Sequence, residues 1–223
     1  QCAALEEGTF EGESTMRTQP KLSDLHPWLR QRVTMLSESH RTANPGTALC
    51  LIWGLRSVEE QQKAHKAGRS KIDGKRKFSL HQYGLAADLW VYTEAQETTL
   101  YENRPPKTDG LDLQLLQKGS LKRWYIGLGH LAEAEGLEAG ALWRTFRDGP
   151  HVQVPKEERI ILLQDALNGR GFNVGDPDGV VGPKTRSGIR SAAKEANVDV
   201  GSNGRLMPVR PQLWHWLQGS DVA

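Results

Sequence analysis

Apolar residues at helical spacing mark the first ordered stretch of the chain. Leu29, Val33 and Leu36 share one face of a segment from about Pro27 to His40, with Ser23 and Asp24 placed to cap it. Asn44-Pro45-Gly46 breaks that period, and the continuous apolar run Thr47 to Trp53 predicts a buried strand. A helix is predicted from Val58 to Ala67, with Ser57 as N-cap, Glu59 and Glu60 in the first turn, and Gly68 as the stop. Ala86 to Tyr92 reads as a second strand. Residues 102–110 read as a Pro-containing loop, and Leu121 to Glu135 as a helix with Leu121, Tyr125, Leu128 and Leu131 spaced for a core and Gly136 closing it. Trp143 to Phe146 and His151 to Val154 are predicted as short strands around the turn D-G-P-H.

The pattern changes style at Pro155. Glu157 to Asn168 is amphipathic, with Ile160, Ile161, Leu163 and Leu167 as its apolar positions. The segment D-G-V-V-G-P at Asp178 to Pro183 recurs loosely, 25 residues on, as N-G-R-L-M-P at Asn203 to Pro208. A helix is predicted after each copy, from Thr185 to Glu195 and from Pro211 to Leu217. The expected architecture is α+β: a small antiparallel sheet with flanking helices, followed by a small three-helix module. Residues 1–20 read as a polar tail, 21–155 as the main domain and 156–223 as the helical one.

Composition adds limits rather than identity. The 223 residues are 37% hydrophobic and 25% charged, the balance of a globular chain, and a net charge of +2 is too mild to point to nucleic acid. The densest basic stretch, Lys66, Arg69, Lys71, Lys75, Arg76 and Lys77, reads as a solvated loop, or as attraction to an anionic wall polymer. No run approaches the roughly 18 apolar residues of a membrane span. The chain opens at Gln1, which fits a removed leader or a trimmed start. Its cysteines are Cys2, in the polar tail, and Cys50, in the apolar run where a buried thiol is the ordinary expectation; a bridge between them is the other possibility.

The candidate chemistry lies in two compact motifs. S-L-H-Q-Y-G-L-A-A-D, from Ser79 to Asp88, offers His81 and Asp88, seven residues apart with Gly84 between them. That spacing does not make them helical neighbours, but a turn at Gly84 lets a loop present His81 while Asp88 points inward from the following strand. A carboxylate among Leu85, Ala86, Ala87, Leu89 and Trp90 is costly unless it is paired or bound to metal. D-G-P-H offers Asp148 and His151, which can approach one centre from the two sides of a turn. Alone, His81 would read as a hydrogen-bonded histidine and Asp148 as a turn aspartate. Together the four suit a catalytic zinc site: His81, Asp88 and His151 as ligands, with Asp148 left as the base. His26, His40, His65, His130 and His215 have no such company and read as surface or packing residues.

The first motif resembles the S-x-H-x-x-G-x-A-x-D signature of the M15 zinc peptidases, the D-Ala-D-Ala carboxypeptidase or VanY-like family. L-H-P-W-L at Leu25 to Leu29, G-L-R-S at Gly54 to Ser57, E-E-Q at Glu59 to Gln61, A-G-R-S-K at Ala67 to Lys71 and W-R-T-F-R-D-G-P-H at Trp143 to His151 resemble its L-alanyl-D-glutamate peptidase branch, found in phage endolysins. The resemblance implies Zn2+ on His81, Asp88 and His151, Asp148 as general base, and Arg56 as the arginine that steadies substrate or the developing oxyanion. Two departures bear on the substrate groove. Glu138-Ala139-Gly140-Ala141-Leu142 replaces the expected Trp-Gly-Gly, and Val152 and Gln153 replace the aromatic and glutamate that often follow the last histidine. Residues from about 156 to 220 resemble the type 1 peptidoglycan-binding domain, through L-L-Q-D-A-L-N-G-R-G-F and D-G-V-V-G-P-K-T. In the second half of that module Ala192-Ala193 stand where Phe-Gln is usual.

By that likeness the expected function is hydrolysis of stem-peptide bonds in peptidoglycan by a zinc peptidase, with L-alanyl-D-glutamate the favoured bond. A D-Ala-D-Ala carboxypeptidase or dipeptidase is the rival enzyme, and a wall-binding protein with a structural zinc is the reading from another class. The expected partner is peptidoglycan, for a monomer without a membrane span and without nucleic acid. It would act in the cell wall or periplasm, secreted or released by a phage.

Overall fold

The computed structural model describes residues 20–93, 98–99, 120–145, 147–200 and 207–219. The polar tail before residue 20, Cys2, the loop at 102–110 and Asn203 of the second half-repeat lie outside these residues.

Helix α1 (Pro27–Ala43) starts with Pro27 at its first position, where a missing N–H costs nothing, and the Trp28 N–H donates to His26 Nδ1 at 3.3 Å. Leu29, Val33 and Leu36 are fully buried along one stripe; each side chain so placed contributes about 1.5–3 kcal/mol. Strand β1 (Thr47–Trp53) follows, and helix α2 (Val58–Lys66) opens on a reciprocal cap. There the Glu60 N–H donates to Ser57 Oγ, while the Ser57 N–H donates to Glu60 Oε2 at 2.9 Å.

The other elements of the sheet part are β2 (Ala86–Thr93), β3 (Thr98–Thr99), α3 (Ser120–Ala134), β4 (Glu138–Ala139) and β5 (His151–Gln153). The strands run in the order β1-β2-β5-β4, every pair antiparallel, with β3 pairing the far end of β2. On β2, Ala87, Leu89 and Val91 share one face, Ala86, Asp88 and Trp90 share the other, and the core holds Ala86, Ala87, Leu89 and Val91. Cys50 is buried in β1.

One expectation fails. Trp143 to Phe146 was expected as a strand, but none of Trp143, Arg144 and Thr145 is in one; the strand that pairs with β5 is Glu138–Ala139, ahead of a single 3-10 turn at Gly140–Leu142. W-R-T-F lacks the apolar–polar alternation of a strand, and Trp143 instead ends the 3-10 turn, where its indole N–H donates to Glu138 Oε1 at 2.9 Å.

Helices α4 (Lys156–Gly169), α5 (Pro183–Glu195) and α6 (Pro211–Leu217) form the three-helix part. Its loop is pinned by Gln164, buried in α4. The Gln164 Oε1 accepts from the Asp178 and Gly179 N–H groups, and its amide donates to Asp178 Oδ1, the Val180 carbonyl and Thr185 Oγ1. The D-G-V-V-G-P motif is thus held by one side chain. Among the described residues no helix is long and apolar enough to cross a membrane.

Candidate metal centre

Asp88 sits in the middle of the sheet, and the ladder decides its neighbours. In the β2–β5 pair His151 is directly opposite Asp88; in the β1–β2 pair the register shifts between Leu51 and Trp53, which sets Trp53 opposite Asp88. Directly opposed residues of an antiparallel pair share a face, with β-carbons about 5 Å apart. Pairing alone therefore brings the His151 ring to Asp88, with Nδ1 3.0 Å from Oδ1.

His81 comes from a 3-10 turn, Leu80–Tyr83, that precedes β2. Ser79 caps this turn by accepting from the His81 N–H, and Gly84 closes it at φ +66°. A β-carbon at Gly84 would lie 3.1 Å from the Asp24 carbonyl oxygen and 3.3 Å from the His26 nitrogen, so the position suits glycine in both conformation and space. The His81 ring sits with Nε2 3.4 Å from Asp88 Oδ1, and the two imidazoles meet edge to face with centroids 5.2 Å apart.

Each imidazole is fixed through its other nitrogen. His81 Nδ1 lies 2.9 Å from the Gly54 carbonyl oxygen, which only accepts, so Nδ1 carries the proton and Nε2 is the free lone pair. His151 Nε2 lies 3.0 Å from Gln153 Oε1, so there the proton sits on Nε2 and Nδ1 faces Asp88. Partners of this kind fix the tautomer and ring orientation of histidines that bind metals. One donor atom from each of His81, Asp88 and His151 lies within 4.8 Å of the other two, the geometry of a possible metal site. The Trp143 ring packs 5.4 Å from that of His151 and walls its side of the centre.

Burial and the neighbouring charges set the protonation of these groups. Burial, then the Arg56 charge, lower His81 to about 4, so it is neutral near pH 7, as a ligand must be. Burial alone would raise Asp88, but His81, His151 and Arg56 together hold it well below the usual carboxylate range. His151 is raised, because the bond and charge of Asp88 outweigh its burial. Asp148 is pushed up to about 6, first by burial and then by the charge of Asp88.

Arg56 follows β1. Its Nη2 donates to Asp88 Oδ2 at 2.8 Å, its guanidinium lies 4.7 Å over the Trp53 ring, and its backbone N–H donates to the His81 carbonyl. Among the described residues its Nε is buried without a hydrogen-bond partner. Asp148 is held by backbone: its N–H donates to the Gly140 carbonyl at 3.0 Å, and its own carbonyl accepts from the His151 N–H. The five residues singled out from the sequence therefore gather in one place.

The structure adds residues that sequence reasoning had not given a part. A β-carbon on Gly140 would meet the Asp148 carbonyl oxygen at 2.5 Å and His151 Cβ at 3.0 Å. The Gly54 carbonyl and Gln153 orient the two imidazoles. Gln61 accepts from Arg56 Nη1 at 3.5 Å and ties it to Ser70 and Ile72. Gln153 had a sequence signal, as a departure from the resembled motif; a backbone carbonyl leaves none.

Residues 73–154 match the model of a peptidase M15 family described as D-alanyl-D-alanine carboxypeptidase. The chain is 27% identical over 153 residues to the peptidoglycan L-alanyl-D-glutamate endopeptidase CwlK of Bacillus subtilis (strain 168), covering 65% of this chain and 82% of that protein. It is also similar to the L-Ala D-Glu endopeptidase ChiX of Serratia marcescens, at 22% identity and a TM-score of 0.43, covering 61% of this chain and 85% of the other. The family model and the Bacillus relative support a peptidase of the M15 family.

Proposed function

We propose that this chain is a zinc-dependent peptidoglycan peptidase that hydrolyses the L-alanyl-D-glutamate bond of the stem peptide. The observation that carries this reading is the convergence of His81 Nε2, Asp88 and His151 Nδ1, each imidazole tethered through its other nitrogen. Two imidazoles and one carboxylate are a donor set that suits zinc and leaves a position open for water. A bound zinc ion would supply Lewis acidity toward the scissile carbonyl and lower the pKa of water to about 7.

The chain's own residues do the rest. Asp148 takes the proton of the attacking water and passes it to the leaving amine; a carboxylate raised to about 6 suits both halves of that transfer. Arg56 holds Asp88 Oδ2 through Nη2 and steadies the substrate or the developing oxyanion, a contribution of roughly 3 kcal/mol. Residues 156–223 bind peptidoglycan and keep the enzyme, a monomer, at the wall. The protein acts in the cell wall or periplasm, secreted or released by a phage.

The experiment is digestion of purified peptidoglycan with zinc present, followed by mass spectrometry of the fragments. Amino sugars bearing free L-Ala support the proposal. The family model's description favours a second reading, removal of the terminal D-alanine. Loss of that residue with the L-Ala–D-Glu bond intact would establish the second reading in place of the first.

A further inference from the structure

The turn that carries His81 is gripped from behind by the far end of the chain. Trp214 Nε1 donates to the Tyr83 carbonyl at 2.9 Å, His215 Nε2 donates to the Gln82 carbonyl at 2.8 Å, and Tyr83 Oη donates to the Val209 carbonyl at 2.7 Å. Trp214 and Tyr83 are almost wholly buried, and Trp214 also packs against the His26 ring at 5.5 Å. His26 belongs to the segment that lies against Gly84, and its N–H donates to the Gly84 carbonyl. Residues of the sheet part and of the three-helix part join one continuous core.

These contacts fall on the backbone that aims the His81 ring. A 3-10 turn makes few hydrogen bonds of its own, and its geometry is softer than that of a strand ladder. Here the carbonyls of both residues that follow His81 are occupied by α6. The His81 carbonyl accepts from Arg56 and Gly84, and the Gln82 side chain bridges Ser79 to Gly74.

We infer that α6 is a positioning element of the metal centre: by fixing the Gln82 and Tyr83 carbonyls it holds His81 in its ligating pose, so that metal retention by the sheet part depends on residues 209–215. The inference rests on the proposed metal site. It makes the helical part a rigid brace of the peptidase rather than a module hung from it.

The test uses the full chain and zinc alone. Tyr83→Phe and Trp214→Phe each keep an aromatic ring and delete one donor to the grip. Ile189→Val, a buried change in α5 away from the turn, serves as the control. Zinc dissociation constants are measured by competition with a chelating dye well below the unfolding temperature, and kcat and KM at saturating zinc. Tyr83→Phe and Trp214→Phe are expected to weaken zinc by about 10-fold, the lower end for supporting residues of metal sites. Saturating zinc restores kcat in both, and Ile189→Val leaves zinc affinity unchanged. Unchanged affinity in both donor variants, or an equal loss in Ile189→Val, overturns the inference while the metal site stands. A wild-type chain that binds no zinc overturns the metal reading itself.

Discussion

His151 and His81 face the same carboxylate but are placed by different means. His151 is set by strand pairing: once β5 lies beside β2, the register makes it the partner of Asp88, and the Gly140 backbone seats the turn before it. His81 has no ladder. It rides a short turn held by a cap, by Gly84, and by a helix more than 120 residues further along the chain. The ladder side is therefore local, stiff and sensitive to volume. The turn side is held by contacts distant in sequence and is sensitive to lost hydrogen bonds.

Substituting each side separately tests that difference. The largest effect is expected for Gly140→Val, since even a β-carbon there overlaps the Asp148 carbonyl oxygen and His151 Cβ. Overpacking of this kind costs about 1–3 kcal/mol. Because the overlap displaces both the base and a ligand, lytic activity should fall at least about 100-fold, the lower bound for losing a positioned base. Turbidity loss of permeabilised cells and a thermal melt read the two effects, and retained activity would show that the ladder side is not stiff.

A smaller loss is expected for Gln153→Leu, which deletes the acceptor for His151 Nε2 while keeping bulk in the strand. Zinc affinity should drop by about 10- to 100-fold, with little change in the melting temperature of the metal-free chain. Dye competition measures the first and circular dichroism the second. An unchanged affinity would mean that the ladder alone orients the ring.

The smallest effect belongs to a histidine away from the centre. His40 is buried on α1, its Nε2 3.1 Å from Thr47 Oγ1, and burial lowers it from 6.5 to about 4. Its folded pKa lies below its unfolded one, so the unfolded chain binds more protons between those values. The stability it contributes is present above pH 6.5 and is lost as pH falls toward 4. His40→Gln should flatten this part of the melting-temperature profile and leave zinc affinity at pH 7 untouched. A profile as steep as that of the unsubstituted protein would assign the acid sensitivity to another group.

The same contrast explains what the sequence revealed. Strands β1 and β2 were legible as apolar runs, and α1, α2 and α6 from period, caps and breakers, because those signals are local. His81, Asp88, Asp148 and His151 stood out as costly or reactive groups within compact motifs, and Arg56 only through the resemblance of G-L-R-S to a family motif. The register that sets Asp88 opposite His151 joins residues 63 positions apart and leaves no local trace. Trp143 to Thr145 is not a strand because W-R-T-F carries no period-two alternation, whereas the small residues Ala139-Gly140-Ala141 mark where backbone must pass close. Trp214-His215-Trp216 read correctly as helix, yet nothing in its pattern says that it docks on the histidine turn.

The proposed site divides labour between three ligands and one base, and zinc titration of the metal-stripped protein by calorimetry tests that division most directly. One ion per chain is predicted for the wild type, loss of tight binding for His81→Ala and for His151→Ala, and retained binding without lytic activity for Asp148→Ala. Tight binding that survives His151→Ala but vanishes in Asp148→Ala would contradict it.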